Sequence, residues 1–210
     1  MIDHLVFAGA ALSQASAEIA ERLGVTPAPG GSHVGLGTRN ELLSLGGSTY
    51  LEVIGPDLDQ PPPTQPRPFR VDDHVRPALA AWCARPARPL DDIVAATRAE
   101  GIELGDVASM SRRRPDGVLL EWRLTLPQLD GPFGCALPFL IDWGESPHPT
   151  ATLAPAVQLI ELEVVHADPQ RLRAALDIIG ITSDCTLRRG PEPVLRARLA
   201  TDHGEVTLTS

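Results

Sequence analysis

Cysteine is scarce in this chain. Cys83, Cys135 and Cys185 are widely spaced and form no CxxC pair. An odd set without motif spacing gives neither a disulfide framework nor a zinc ribbon, and the apolar neighbours of each predict buried free thiols. Long hydrophobic runs are also missing. The stretch from Phe133 to Ile141 is short and broken by Gly134 and Pro138, well under the length of a membrane span. No basic segment opens the chain, where Asp3 already stands, so a secretory signal is not read and a soluble cytoplasmic protein is expected. Positive charge is in deficit: 18 Lys and Arg stand against 27 Asp and Glu, a net charge of -9. That balance argues against a nucleic-acid partner. Arg112-Arg113-Arg114 is a local exception, running into a turn at Pro115-Asp116-Gly117. It is either a solvated loop or a holder of an anionic group. No glycine-rich phosphate loop opens a helix, and no serine carries a nucleophile signature.

What the chain does have is a core and a repeat. With 210 residues and 43% hydrophobic content it can bury a substantial interior. Three segments end in matching fashion, at Leu23-Gly24-Val25, Glu100-Gly101-Ile102 and Ile179-Gly180-Ile181. Each glycine fits the left-handed position that stops a helix, followed by a β-branched residue that starts an extended run. Before them, Leu12, Ala15, Ile19 and Leu23 fall on one helical face. So do Leu90, Ile93, Val94 and Thr97, and again Leu172, Ala175, Leu176 and Ile179. Asp168-Pro169 is a start signal for the third helix.

Strand-like runs surround each helix, giving β-α-β-β-β three times. They fall at about 2–8, 33–37, 41–46 and 49–54; at about 79–85, 106–112, 118–126 and 137–143; and at about 157–165, 185–189, 194–200 and 204–209. The first module thus covers about 1–55, the second about 78–144 and the third 151–210. Residues 55–77 carry seven prolines, too many for a helix or central strand, and predict a stiff linker between the first two modules.

Two titratable residues lie in the middle of apolar strands: His4 in Ile2-Asp3-His4-Leu5-Val6-Phe7 and Glu52 in Tyr50-Leu51-Glu52-Val53-Ile54. Burying such groups is costly unless they are paired or bound to a metal. Their positions, on the first and fourth strands of one unit, resemble the vicinal oxygen chelate superfamily. The stretches 31–40, 50–54 and 137–144 resemble, more narrowly, the bacterial glyoxalase-like domain over about residues 1–150.

The resemblance implies an α+β fold in which two βαβββ modules pair into an incomplete barrel, with the third module added. It also implies metal ligands on the first and fourth strands of each module. His4 and Glu52 match in the first. In the second, counting back from the helix gives Trp82, which cannot bind a metal, and the fourth strand gives Ile141 or Asp142, of which only Asp142 is a ligand type. A divalent ion (Zn, Ni, Mn, Co or Fe) on His4, Glu52 and Asp142 is the metal-site expectation, with Glu52 as catalytic base. His33, Asn40, Trp82, Trp143 and His148 are candidates for substrate contact. So are Glu121 and Arg123 if the polar face of Leu119–Thr125 lines the cavity; the other reading is an ion pair on a wet sheet surface. The structural readings of His33 and His148 are an exposed residue on a twisted strand and on a loop. Glu161 in the third module occupies the first-strand position within a mixed-charge face, and the unpaired third module predicts a homodimer.

The function expected is a metal-dependent lyase or isomerase acting on a small molecule with adjacent oxygens. The alternative is a metal-free binding protein with the same cavity, aided by Arg112 or Arg123.

Overall fold

Apolar alternation and β-branched content build the first module from β1 (Ile2–Ala8), β2 (Ala28–His33), β3 (Thr38–Ser44) and β4 (Tyr50–Pro56), with α1 (Leu12–Leu23) after β1. The second contains β5 (Ala78–Ala84), α2 (Leu90–Ala99), β6 (Val107–Arg113), β7 (Leu119–Thr125) and β8 (Phe139–Asp142). The third contains β9 (Gln158–His166), α3 (Pro169–Ile179), β10 (Thr186–Arg189), β11 (Val194–Thr201) and β12 (Gly204–Thr209). This computed structural model describes residues 1–114, 117–155 and 157–210, so part of the turn expected at Pro115-Asp116-Gly117 lies outside the described residues.

The helices bury the faces their spacing requires: Ala15, Ser16, Ile19 and Leu23 in α1, Leu90, Ile93, Val94 and Thr97 in α2, and Leu172, Ala175, Leu176 and Ile179 in α3. Gly24 and Gly180 cap α1 and α3 in the left-handed region, at φ 72° and 84°. Asp168 accepts a hydrogen bond from the Arg171 amide at 3.0 Å, closing the start of α3.

One strand differs from expectation. Of the run 33–37 expected as a strand, only His33 is one, as the last residue of β2; residues 34–37 form the hairpin turn between β2 and β3.

β1 to β8 form one sheet in the order β2-β3-β4-β1-β5-β8-β7-β6. In each of the first two modules the first strand lies parallel to the last, β1 to β4 and β5 to β8, and the modules join through antiparallel β1 and β5. The sheet curls until its two edges, β2 and β6, approach each other. It therefore has two cores. The convex side packs Leu5, Phe7, Leu51, Val53 and Trp82 against the helices and the third module. The concave side encloses Val6, Leu42, Tyr50, Ile54, Cys83, Leu120, Phe139 and Trp143. The proline-rich linker folds against this interior: Val71 and Phe69 join it, with the Phe69 ring 5.4 Å from that of Phe139.

The third module keeps the element order but pairs differently. Its sheet runs β10-β9-β11-β12, with β9 parallel to β10 and antiparallel to β11. Glu161 therefore has no fourth-strand neighbour like that of His4. It accepts from Thr186 at 2.7 Å and from Arg198 at 3.1 Å. Arg198 also meets Glu205, and Arg196 and Arg188 both meet Glu163, so the charges of this face pair among themselves. Ile160 is exposed. A register slip opposite Arg198 and Leu199 turns Leu159 into the core instead.

Candidate functional site

A β-bulge builds the centre of the site. In the β1–β5 pairing Ile2 opposes Ala84 and His4 opposes Cys83, which leaves Asp3 as the extra residue. The bulge sends Ile2 to the convex core and lets both Asp3 and His4 face the interior. Asp3 is fully buried. Its Oδ1 meets His4 Nδ1 at 2.8 Å, and its Oδ2 meets Trp143 Nε1 at 3.1 Å and His148 Nε2 at 3.2 Å. Burial by itself would raise the Asp3 carboxyl, but the hydrogen bonds from His148 and His4 outweigh it and hold the group well below the usual carboxylate range. Asp3 is thus an anion that needs donors, which puts the proton of His4 on Nδ1 and that of His148 on Nε2. The Thr150 amide then donates to His148 Nδ1 at 3.3 Å, consistent with this tautomer.

His4 is left with a bare Nε2, which faces Glu52 Oε2 at 3.7 Å. Its ring stacks on Tyr50 at 4.6 Å and meets the edge of Phe139 at 5.4 Å. The other Glu52 oxygen, Oε1, accepts from Asn40 Nδ2 at 2.6 Å and lies 3.7 Å from His33 Nε2. Asn40 is fixed in this orientation from both ends, because its Oδ1 accepts from Arg112 Nη1 at 3.0 Å. His33 contacts Thr38 Oγ1 through Nδ1 at 3.0 Å. Burial keeps its imidazole below the ordinary value against the opposing pull of Glu52, so it is neutral. Burial, then Asp3 and Glu52, pushes the Tyr50 phenol and the Cys83 thiol well above their ordinary values, which keeps both protonated.

Of the residues expected from sequence, the structure brings His4, Glu52, His33 and Asn40 into one cluster, and Trp143 and His148 join it through Asp3. It does not bring the other four there. Trp82 lies on the convex side with its indole N–H on the Ala136 carbonyl, because a further irregularity near Ala80 and the Asp3 bulge displace the counted register by one and put Cys83 inside. Asp142 is on the outer face of β8 and accepts from the Gly144 amide at 3.0 Å. Glu121 is exposed, and Arg123 forks onto both oxygens of Asp91 on α2 at 2.9 Å. The interior face of β7 is instead the apolar one, Leu120, Trp122 and Leu124. Asp3 and Cys83 were not foreseen. The one available signal was Asp3 beside His4, two polar residues in a row, which breaks strict alternation.

Asp3, His4 and Cys83 each offer a metal-donor atom within 4.8 Å of the others. Asp3 already accepts from His4, Trp143 and His148, an arrangement that suits it to orienting His4. A carboxylate on the far nitrogen is the usual companion of a metal-binding histidine. His4 Nε2 and Glu52 Oε2, two electron-rich atoms face to face in a buried setting, are therefore a donor pair that fits a divalent ion, with Cys83 adjoining.

Paired βαβββ modules curled around a His–Glu interior define the vicinal oxygen chelate class of proteins. The family model of the glyoxalase-like domain matches residues 2–179, and the chain belongs to that family. The match extends past the first two modules through β9 and α3. Among solved structures, the chain is similar to a hypothetical protein from Staphylococcus aureus, with 14% identity, TM-score 0.61, and coverage of 99% of this chain and 84% of that one. A methylmalonyl-CoA epimerase from Mycobacterium tuberculosis matches at 16% identity and TM-score 0.41, over 72% of this chain and 91% of its own. A 4-hydroxymandelate synthase variant from Streptomyces coelicolor matches at 15% identity and TM-score 0.42, over 99% of this chain and 62% of its own. No curated protein sequence matches. Among the described residues, no helix is long and apolar enough to cross a membrane.

Proposed function

We propose that this protein is a metal-dependent lyase or isomerase that moves a proton at a carbon next to a carbonyl of a small molecule. The observation that carries the reading is the 3.7 Å approach of His4 Nε2 to Glu52 Oε2, with the opposite side of each group tied down by Asp3 and Asn40. A divalent ion held by His4 and Glu52 would supply polarisation of the carbonyl. Imidazole and carboxylate together suit a first-row divalent metal such as Zn, Co, Ni, Mn or Fe. Glu52 would accept the proton on Oε2, the oxygen that faces His4, when it is not bound to the ion, while Asn40 holds Oε1. Asp3 orients His4, and neutral His33 closes the far side of the carboxylate. Tyr50, Phe139 and Phe69 exclude water.

A metal-free binding protein is the second reading, favoured by Arg112, a buried cation that already offsets Glu52 through Asn40. Elemental analysis of untagged protein purified without chelator decides between them. Near-stoichiometric metal in wild type, lost in His4→Ala, supports the enzyme; no metal in wild type even after reconstitution removes it.

A further inference from the structure

Arg112 is the one group of the interior that proton transfer leaves unused. It is only 4% exposed, and among the described residues its guanidinium makes no ion pair. Its hydrogen bond goes to a neutral amide, Asn40 Oδ1. A buried cation without a directly bonded anion is costly, and a guanidinium has five donors in a planar fork that matches a carboxylate. The fold makes room for it: a Cβ on Gly30 would collide with the Asn40 and Arg112 side chains, and one on Gly31 with the Arg113 carbonyl while crowding the Arg112 stem. Those two glycines of β2 let a side chain from β6 cross the seam into the first module's cluster.

A second, separate observation points to the same place. Of all buried side-chain nitrogens and oxygens among the described residues, Trp122 Nε1 alone lacks a hydrogen-bond partner. The other two indoles are satisfied, Trp82 by the Ala136 carbonyl and Trp143 by Asp3, each at 3.1 Å. In the β6–β7 ladder Arg112 opposes Leu120 and Met110 opposes Trp122, so Arg112 and Trp122 are diagonal neighbours on the interior face. An orphaned donor and a buried cation thus occupy diagonal positions on the wall supplied by the second module, while the proton acceptor stands on the wall supplied by the first.

We infer that the small molecule bound here carries a carboxylate, held by the Arg112 guanidinium and the Trp122 indole N–H. The inference deepens the proposed function, on whose interior site it rests, by assigning the substrate to the small organic acids. The carboxylate would anchor the molecule on β6 and β7 and present its acidic carbon to Glu52. If Arg112 served only as a counter-charge for Glu52, the site would have no preference for anions and Trp122 would take no part.

Three tryptophans give three indole N–H resonances, so the full-length protein can be titrated by ¹H–¹⁵N NMR with formate, pyruvate, malonate and the uncharged methyl pyruvate. The Trp122 resonance is identified by its loss in Trp122→Phe. The expected result is a saturable shift of Trp122 and a rise in Tm with at least one carboxylate, no such response to the ester, and at least tenfold weaker binding in Arg112→Gln. The proposal is overturned if none of the three acids shifts Trp122 saturably, if the ester acts equally, or if Arg112→Gln keeps full affinity. Should Arg112→Gln lose its spectral dispersion, the acid-against-ester comparison in wild type decides. Metal content measured on the same sample separates the two readings: a failed titration with metal retained removes only the anion site, and a successful one without metal removes only the metal chemistry.

Discussion

Asp3 and His4 are consecutive residues of one strand, yet both side chains enter the same interior and meet at 2.8 Å. Successive residues of a regular strand point to opposite faces, so this contact exists only because the chain bulges at Asp3. The carboxylate fixes which nitrogen of His4 is free. It also ties that strand to Trp143 and His148, 140 and 145 residues further along the chain.

Replacing Asp3 by Asn should therefore cost roughly 10–100-fold in metal affinity while leaving His4 and Glu52 in place. Competition with a chromogenic chelator measures it, and unchanged affinity would reduce Asp3 to packing.

The same residue sets a pH dependence. Burial opposes the charge of Asp3, and His148 and His4 more than compensate, so its folded value lies below the unfolded one. Its stabilisation is then complete above the unfolded value of about 3.9 and is lost as pH falls toward the folded value. The Tm gap between wild type and Asp3→Asn should be constant near neutrality and narrow as the pH drops below about 4. Melting curves across that range test it.

Asn40 joins a cation to a carboxylate without either touching the other. Asn40→Ala strands the Arg112 donor and a Glu52 oxygen together, and should destabilise the fold by about 1–3 kcal/mol. Urea unfolding with unchanged m-value would confirm a local loss rather than a collapse of the interior.

Phe69 and Arg70 both have left-handed backbones, at φ 57° and 50°, in the linker segment that covers the interior. Arg70 pairs with Asp130 in an exposed ion pair. Glycine accepts that backbone without strain, so Arg70→Gly should stabilise by roughly 1 kcal/mol, less the small worth of a surface pair. A rise in Tm with slower amide exchange at Pro68–Asp73 is the expected outcome; a fall would mean the ion pair outweighs the strain.

The sequence made the modules legible through features that repeat: apolar spacing in three helices, and glycine after each. His4 and Glu52 stood out because a charged residue in an apolar strand is conspicuous wherever it occurs. What was hidden depended on register. One extra residue at Asp3 and another irregularity near Ala80 put Cys83 rather than Trp82 inside, and of the two readings of β7 the apolar face, not the polar one, turned toward the interior. Arg112 could be named but not placed, since its partner Asn40 lies 72 residues away. The strand order of the third module was equally hidden, because β-α-β-β-β describes succession along the chain and not adjacency in the sheet.

The edges β2 and β6 meet without a shared ladder of backbone hydrogen bonds, and Arg112 reaching past Gly30 and Gly31 is what spans them. Among the described residues, parting the two halves there breaks the Arg112–Asn40 hydrogen bond, whereas parting them at β1–β5 would break a whole row of backbone ones. The molecule is thus hinged on one side and merely latched on the other, and the latch is the residue assigned to greet an incoming acid. A ligand that draws Arg112 away from Asn40 would loosen that latch.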